Sequence, residues 1–162
     1  MNNGNQAQSS DWTNLDLLCA QAAEKIAGAA TDQNTAKELD KLATDALGVL
    51  AEQGVYALFL YLKSKEKEKE ASASRSEKEK KDNNSLAHKI QCNLLTLLIR
   101  SLNLTASEAQ EDDKKDKQNE KPNKAIKEIA RDLDTLLLAW ELLGRTLTYT
   151  RYHARVKAPQ EG

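Results

Sequence analysis

Proline and glycine are scarce in this chain, two and six residues among 162, and aromatic side chains make up only 4%. With Leu and Ala supplying most of the apolar content, that shortage disfavours a sheet and favours helices. Cysteine is nearly absent too. Cys19 and Cys92 are read as lone cysteines inside helical patterns, with no Cys or His at ligand spacing, which points to a reduced setting. Neither sign of charge dominates: the formal net charge is -1. There is then no global pull towards nucleic acid, and any such role must rest on a local patch. Long apolar runs are also missing. The run around Leu94 to Ile99 is far too short to span a bilayer, and MNNGNQAQSS lacks the basic and apolar segments of a signal peptide. The expectation is a soluble, cytoplasmic protein with no membrane contact.

What the chain has is helical periodicity. Residues 1–10 read as a disordered polar N-terminus, 11–158 as one helical-bundle domain, and 159–162 as a tail. Asp11 is the expected cap of a first helix carrying Trp12, Leu15, Cys19, Ala22, Ile26 and Ala29. Thr35 and Glu38 have capping-box spacing for a second, with Gly48 and Gly54 as candidate breaks. A third helix runs through GVYALFLYLK to Lys65. A fourth spans Ser85 to about Leu104. Two charged polar inserts, about 64–84 and 105–122, are read as solvated loops. The KEKEKE part of the first could instead extend the third helix.

The last helix is the organising one. Ile126, Ile129, Leu133, Leu136, Trp140, Leu143, Leu147, Thr150 and Ala154 step by three and four without a break. Leu137, Leu138, Ala139 and Leu142 make its opposite face apolar as well, so burial on more than one side is expected. The fold class is therefore all-α, a single bundle of about five helices with two long inserts.

Chemistry is sparse. His88 and His153 have no recognisable motif around them, and there is no glycine-rich phosphate loop, nucleophile elbow or paired-histidine zinc motif. Asp132 or Asp134 with Glu141 lacks the Glu-x-x-His partner of a di-iron bundle. No catalytic residue, metal or cofactor is expected. After Glu141, however, no acid appears until Glu161, while Arg145, Arg151, Arg155 and Lys157 accumulate around Tyr149 and Tyr152. Arg beside Tyr suits a phosphate backbone with stacked bases. It equally suits a protein interface anchored on Tyr149 and Tyr152, or a solvated helix end whose cations complement its dipole.

Two segments carry a resemblance. Gly54-Val55-Tyr56, Tyr61-Leu62 and Lys63 or Lys65 fit a glycine-opened helix of the form Gly-apolar-apolar…Phe-Leu…Lys. Glu141, Leu143, Arg151, Tyr152 and Ala154 follow a final-helix pattern Glu-Ala-x-x-x-Leu-x-Trp-x-x-Arg-Phe-Ala, with Thr148 or Tyr149 at the tryptophan position and His153 interposed. Together they resemble the Cmr-type small subunit of type III CRISPR-Cas effector complexes. The resemblance implies a non-catalytic helical bundle whose copies stack head to tail beside other effector subunits, serving antiviral defence. It implies backbone contacts to a guide RNA-target RNA duplex through Lys63, Lys65 and Arg151. Arg145, Arg155 and Lys157 join them as a reading of the acid-free run. The alternative is a helical protein-protein adaptor with no nucleic-acid role.

Overall fold

The computed structural model describes residues 14–72, 85–102 and 124–158, and every regular element among them is a helix. The expected N-terminal tail, the second insert and the C-terminal tail lie outside the described residues.

Helix α1, Leu15–Ala27, begins at Asn14. Its backbone is extended and its Oδ1 accepts from the Leu17 N–H at 3.0 Å. Asn14, then, replaces Asp11 as the cap, supplying an acceptor to an otherwise orphan amide. Helix α2, Gln33–Gln53, is capped by Asp32. The Thr35 N–H donates to Asp32 Oδ1 at 2.8 Å, and the Asp32 N–H donates to Thr35 Oγ1 at 3.1 Å. Thr35 is thus the third helical residue of the box and not its cap, and Glu38 has no part in it.

Gly48 does not interrupt α2, but Gly54 does. Its φ of 89° lies in the left-handed region that favours glycine, and helix α3, Val55–Ser72, starts on the next residue. The helix runs on through KEKEKE, so the first insert begins later than residue 64; Lys65 and Glu68 pair at 2.8 Å along its side. Alternating Lys and Glu have good helix propensity, and an already nucleated helix extends cheaply. Helix α4 is Leu86–Ser101.

The final helix is not continuous. Residues 124–129 belong to α5, which ends with Ala130 and Arg131 bonded back to Ile126 and Glu128. Asp132 is extended, accepts from the Thr135 N–H at 2.9 Å, and caps α6, Leu133–Lys157. Apolar spacing survives such a break because both pieces still face the core. A capping aspartate does not leave the helix intact.

Packing places α6 differently from expectation. The five long helices form a ring in which α6 touches α1 and α2, α1 touches α4, α4 touches α3, and α3 touches α2; α6 makes only narrow contact across it with α3 and α4. Such a helix keeps one side in the core and one in solvent. Ala139, Leu142, Leu143, Thr146, Leu147, Thr150 and Ala154 are buried. Leu133 and Leu137, by contrast, are 68% and 56% exposed, and Leu138 and Trp140 are also exposed. Of these, Ala139, Leu143, Leu147 and Ala154 share a core with Ile26, Leu39, Leu58, Leu62, Ile90 and Leu94. Ala36, Ala43, Ala46, Ala139 and Ala154 are buried between the helices, where small side chains permit close approach. The two buried threonines of α6 are satisfied within the helix, each donating to the carbonyl four residues back.

Candidate functional site

The basic half of α6 lies between α1 and α2, and its cations reach sideways to both. Arg145 Nη2 donates to Glu141 Oε1 at 2.7 Å, one turn back, and Nη1 to Asp16 Oδ1 on α1 at 3.2 Å. The Tyr149 hydroxyl donates to the same Asp16 oxygen at 2.7 Å. Hydrogen bonds to Glu141 and Asp16 hold the Arg145 guanidinium above its ordinary pKa; that to Asp16, then burial, push the Tyr149 phenol up. Both shifts favour the protonated donors these contacts need.

On the other side, Arg151 Nε and Arg155 Nε both donate to Asp40 of α2, at 3.4 and 3.3 Å. Lys157 Nζ donates to the carbonyls of Ala27 and Ala30, at 2.7 and 3.3 Å. It closes the C-terminal end of α1, where the helix dipole favours a cation. The run that looks acid-free in sequence is therefore supplied with acids by other helices. Tethering α6 to its neighbours is the first thing these side chains do.

The tyrosines separate. Tyr149 is half-buried and packs, as do Leu15 and Leu18, against the cluster of Cys19, Ala22, Leu97 and Leu142. Tyr152 is 60% exposed and has Val156, at 81%, one turn on. Trp140 lies flat enough for Nε1 to donate to the Leu50 carbonyl near the end of α2, at 3.1 Å. Tyr152 is thus the outward aromatic, and Tyr149 a tether.

Lys63 and Lys65 lie on α3, which has α2 and α4 as its main neighbours. Lys65 is held by Glu68 and sits 5.7 Å from the Tyr61 ring centroid. It lines a groove of about 370 Å³ with Leu42, Asp45, Tyr61, Leu86 and Ala87. Lys63 is half-buried; among the described residues no carboxylate is paired with it. The candidate cations accordingly fall into three groups, facing α1, facing α2 and on α3, not on one strip.

One constellation escaped the sequence. His88 on α4 has Glu66 Oε1 at 3.0 Å from Nδ1 and Cys92 Sγ at 3.4 Å from Nε2. His88 and Cys92 are four apart in a predicted helix, so half of it was readable. Glu66 could enter only once α3 was known to continue past Lys65.

Among the described residues, no three His, Cys, Asp or Glu side chains converge as a metal site, and no helix is long and apolar enough to cross a membrane. Comparison of the chain with protein-family models, with curated proteins and with solved structures finds no match.

Proposed function

We propose that this protein is a non-catalytic small subunit of a type III CRISPR-Cas effector complex, of the Cmr kind. In this reading it acts in the cytoplasm, stacking beside larger subunits and along copies of itself, and helps hold a guide RNA-target RNA duplex through its backbone. One observation carries the reading. On the two helices that bear the resemblance, four of the matched positions, Val55, Leu62, Leu143 and Ala154, are buried in one core. Tyr56 and Tyr152, which fill apolar positions of the two patterns, are exposed instead, and Gly54 stands just before α3 with a φ of 89°. Head-to-tail stacking builds an open filament and calls for an unsatisfied surface on each copy; the exposed Leu133 and Leu137 are available for it.

Phosphate contact is the part the geometry restricts. Arg145, Arg151 and Arg155 would have to share their guanidinium groups with Asp16, Glu141 and Asp40, Lys65 is held by Glu68 and Lys157 by two backbone carbonyls, which leaves Lys63 as the candidate cation with no such partner among the described residues. RNA binding by the isolated protein is then weak, independent of sequence and lost with added salt, as counterion release dictates.

The same restriction favours the second reading, an adaptor that docks protein partners alone through Tyr152 and the exposed leucines. A native pull-down with sequencing of bound RNA separates the two. Repeat-derived guide RNAs alongside larger backbone subunits support the first reading. A clean protein partner with no RNA supports the adaptor.

A further inference from the structure

Cys92 is exposed, and it does not stand alone. Its Sγ lies 3.4 Å from His88 Nε2, while His88 Nδ1 lies 3.0 Å from Glu66 Oε1 on the adjacent helix. A carboxylate accepting from Nδ1–H fixes the imidazole tautomer and leaves the Nε2 lone pair facing the thiol. Nucleophile, base and orienting carboxylate in that order are the arrangement that activates a side-chain nucleophile. Helical spacing sets His88 beside Cys92, and tertiary packing adds Glu66 from α3. Cys19 supplies the contrast in access: it is fully buried and its Sγ donates to the Leu142 carbonyl at 3.6 Å.

We propose that Cys92 is a site of reversible S-thiolation by low-molecular-weight disulfides, with His88 as the base and Glu66 as the positioning residue. The thiol proton passes to His88 Nε2 as Sγ attacks one sulfur of the disulfide. The new Sγ–S bond forms as the disulfide's own S–S bond breaks, and the departing thiolate takes up the proton from the imidazolium. One protein thiol and one disulfide become one mixed disulfide and one free thiol, and a second thiol reverses the step. Burial, and then the negative charge of Glu66, push the Cys92 pKa above its ordinary value. The thiol therefore rests neutral and needs the base. Among the described residues Glu66 is the only charge from a neighbouring helix that acts on it.

The test uses the full chain and dithiodipyridine, a neutral disulfide whose leaving group absorbs light, with peptide mapping of the adduct. Wild-type protein is expected to take one adduct, at Cys92, and the Cys92→Ser variant none at a comparable rate. His88→Asn slows the reaction by at least about tenfold, below the usual contribution of a positioned base because thiols also ionise unaided. The wild-type advantage over His88→Asn narrows as pH rises through the thiol's own ionisation, where no base is needed, and Glu66→Gln reacts at a rate between the two, a pattern that mere loss of packing would not cause. Circular dichroism matching wild type shows that both variants fold. A His88→Asn protein reacting at the wild-type rate with the same pH profile would overturn the proposal, as would modification of Cys19 as fast as Cys92.

Discussion

Replacing Asp40 by Asn separates the two roles open to Arg151 and Arg155. The Asp40 side chain is 23% exposed, and its partners are 28% and 45% exposed. Both arginines approach through Nε at 3.3 to 3.4 Å, without a bidentate fork. Each pair therefore ranks with partly exposed ion pairs, worth about 0.5–1 kcal/mol. Loss of the shared charge should cost about 1–2 kcal/mol, while Asn keeps the shape and one acceptor oxygen. For a chain of this length that is a fall in Tm of about 3–6 °C. Thermal unfolding followed by far-UV circular dichroism at low salt measures it, and high salt should narrow the gap between variant and wild type. A Tm within experimental error of wild type would refute the view that Asp40 clamps α6 to α2. The same protein reports on RNA in a filter-binding assay. Arginines that also serve phosphate bind more tightly once freed from Asp40, whereas arginines that serve only as tethers leave the affinity unchanged. Reversing both charges, Arg151→Glu with Arg155→Glu, is a poorer probe, because it places three carboxylates together and strains the fold itself.

Leu143→Ala removes a side chain fully buried where α6 faces the core, and should cost about 3 kcal/mol in chemical denaturation. Two glycines should respond with opposite signs although an added Cβ meets no atom within 4 Å at either. Gly48→Ala, inside α2, gains about 0.5–1 kcal/mol from helix propensity, while Gly54→Ala, held at φ 89°, loses about 1–2 kcal/mol; urea unfolding of the pair checks both signs. The capping carboxylates set the acid limb of stability. Hydrogen bonds from Thr35 hold Asp32, and those from Thr135 hold Asp132, below the usual carboxylate range. Their contribution is complete above that range and lost as pH falls through the lowered values. Asp32→Asn with Asp132→Asn should accordingly lower stability at neutral pH and flatten its decline in acid, read from unfolding midpoints across a pH series.

The all-α class, the four long helices before the last insert, and most core positions were legible because they depend on composition and a 3.6-residue period, which are local quantities. Ile26, Leu39, Leu58, Ile90, Leu94 and Leu147 are buried as the pattern requires. Helix starts were less legible. Asn14, Asp32 and Asp132 act as caps, yet several polar residues near each boundary could have served, and only backbone geometry selects one. Periodicity also could not say how many sides of α6 are covered. Leu137 and Leu138 look like core in one dimension and are exposed because, among the described residues, α1 and α2 are the main neighbours of α6 and cover other sides of it.

What the sequence determined by itself was which segments become helices and which stripe of each seeks the core, since both follow from near neighbours along the chain. The order of helices around the ring, and with it every charge pairing across helices, belongs to the tertiary structure. Asp40 meets Arg151 and Arg155 across more than a hundred residues, Asp16 meets Arg145 and Tyr149 across more still, and Glu66 reaches His88 from another helix. A charge interacts with whatever lies within a few ångströms in space, and chain separation does not predict that distance. A basic run in sequence therefore became a set of clamps, and a histidine one turn from a cysteine gained a carboxylate from another helix.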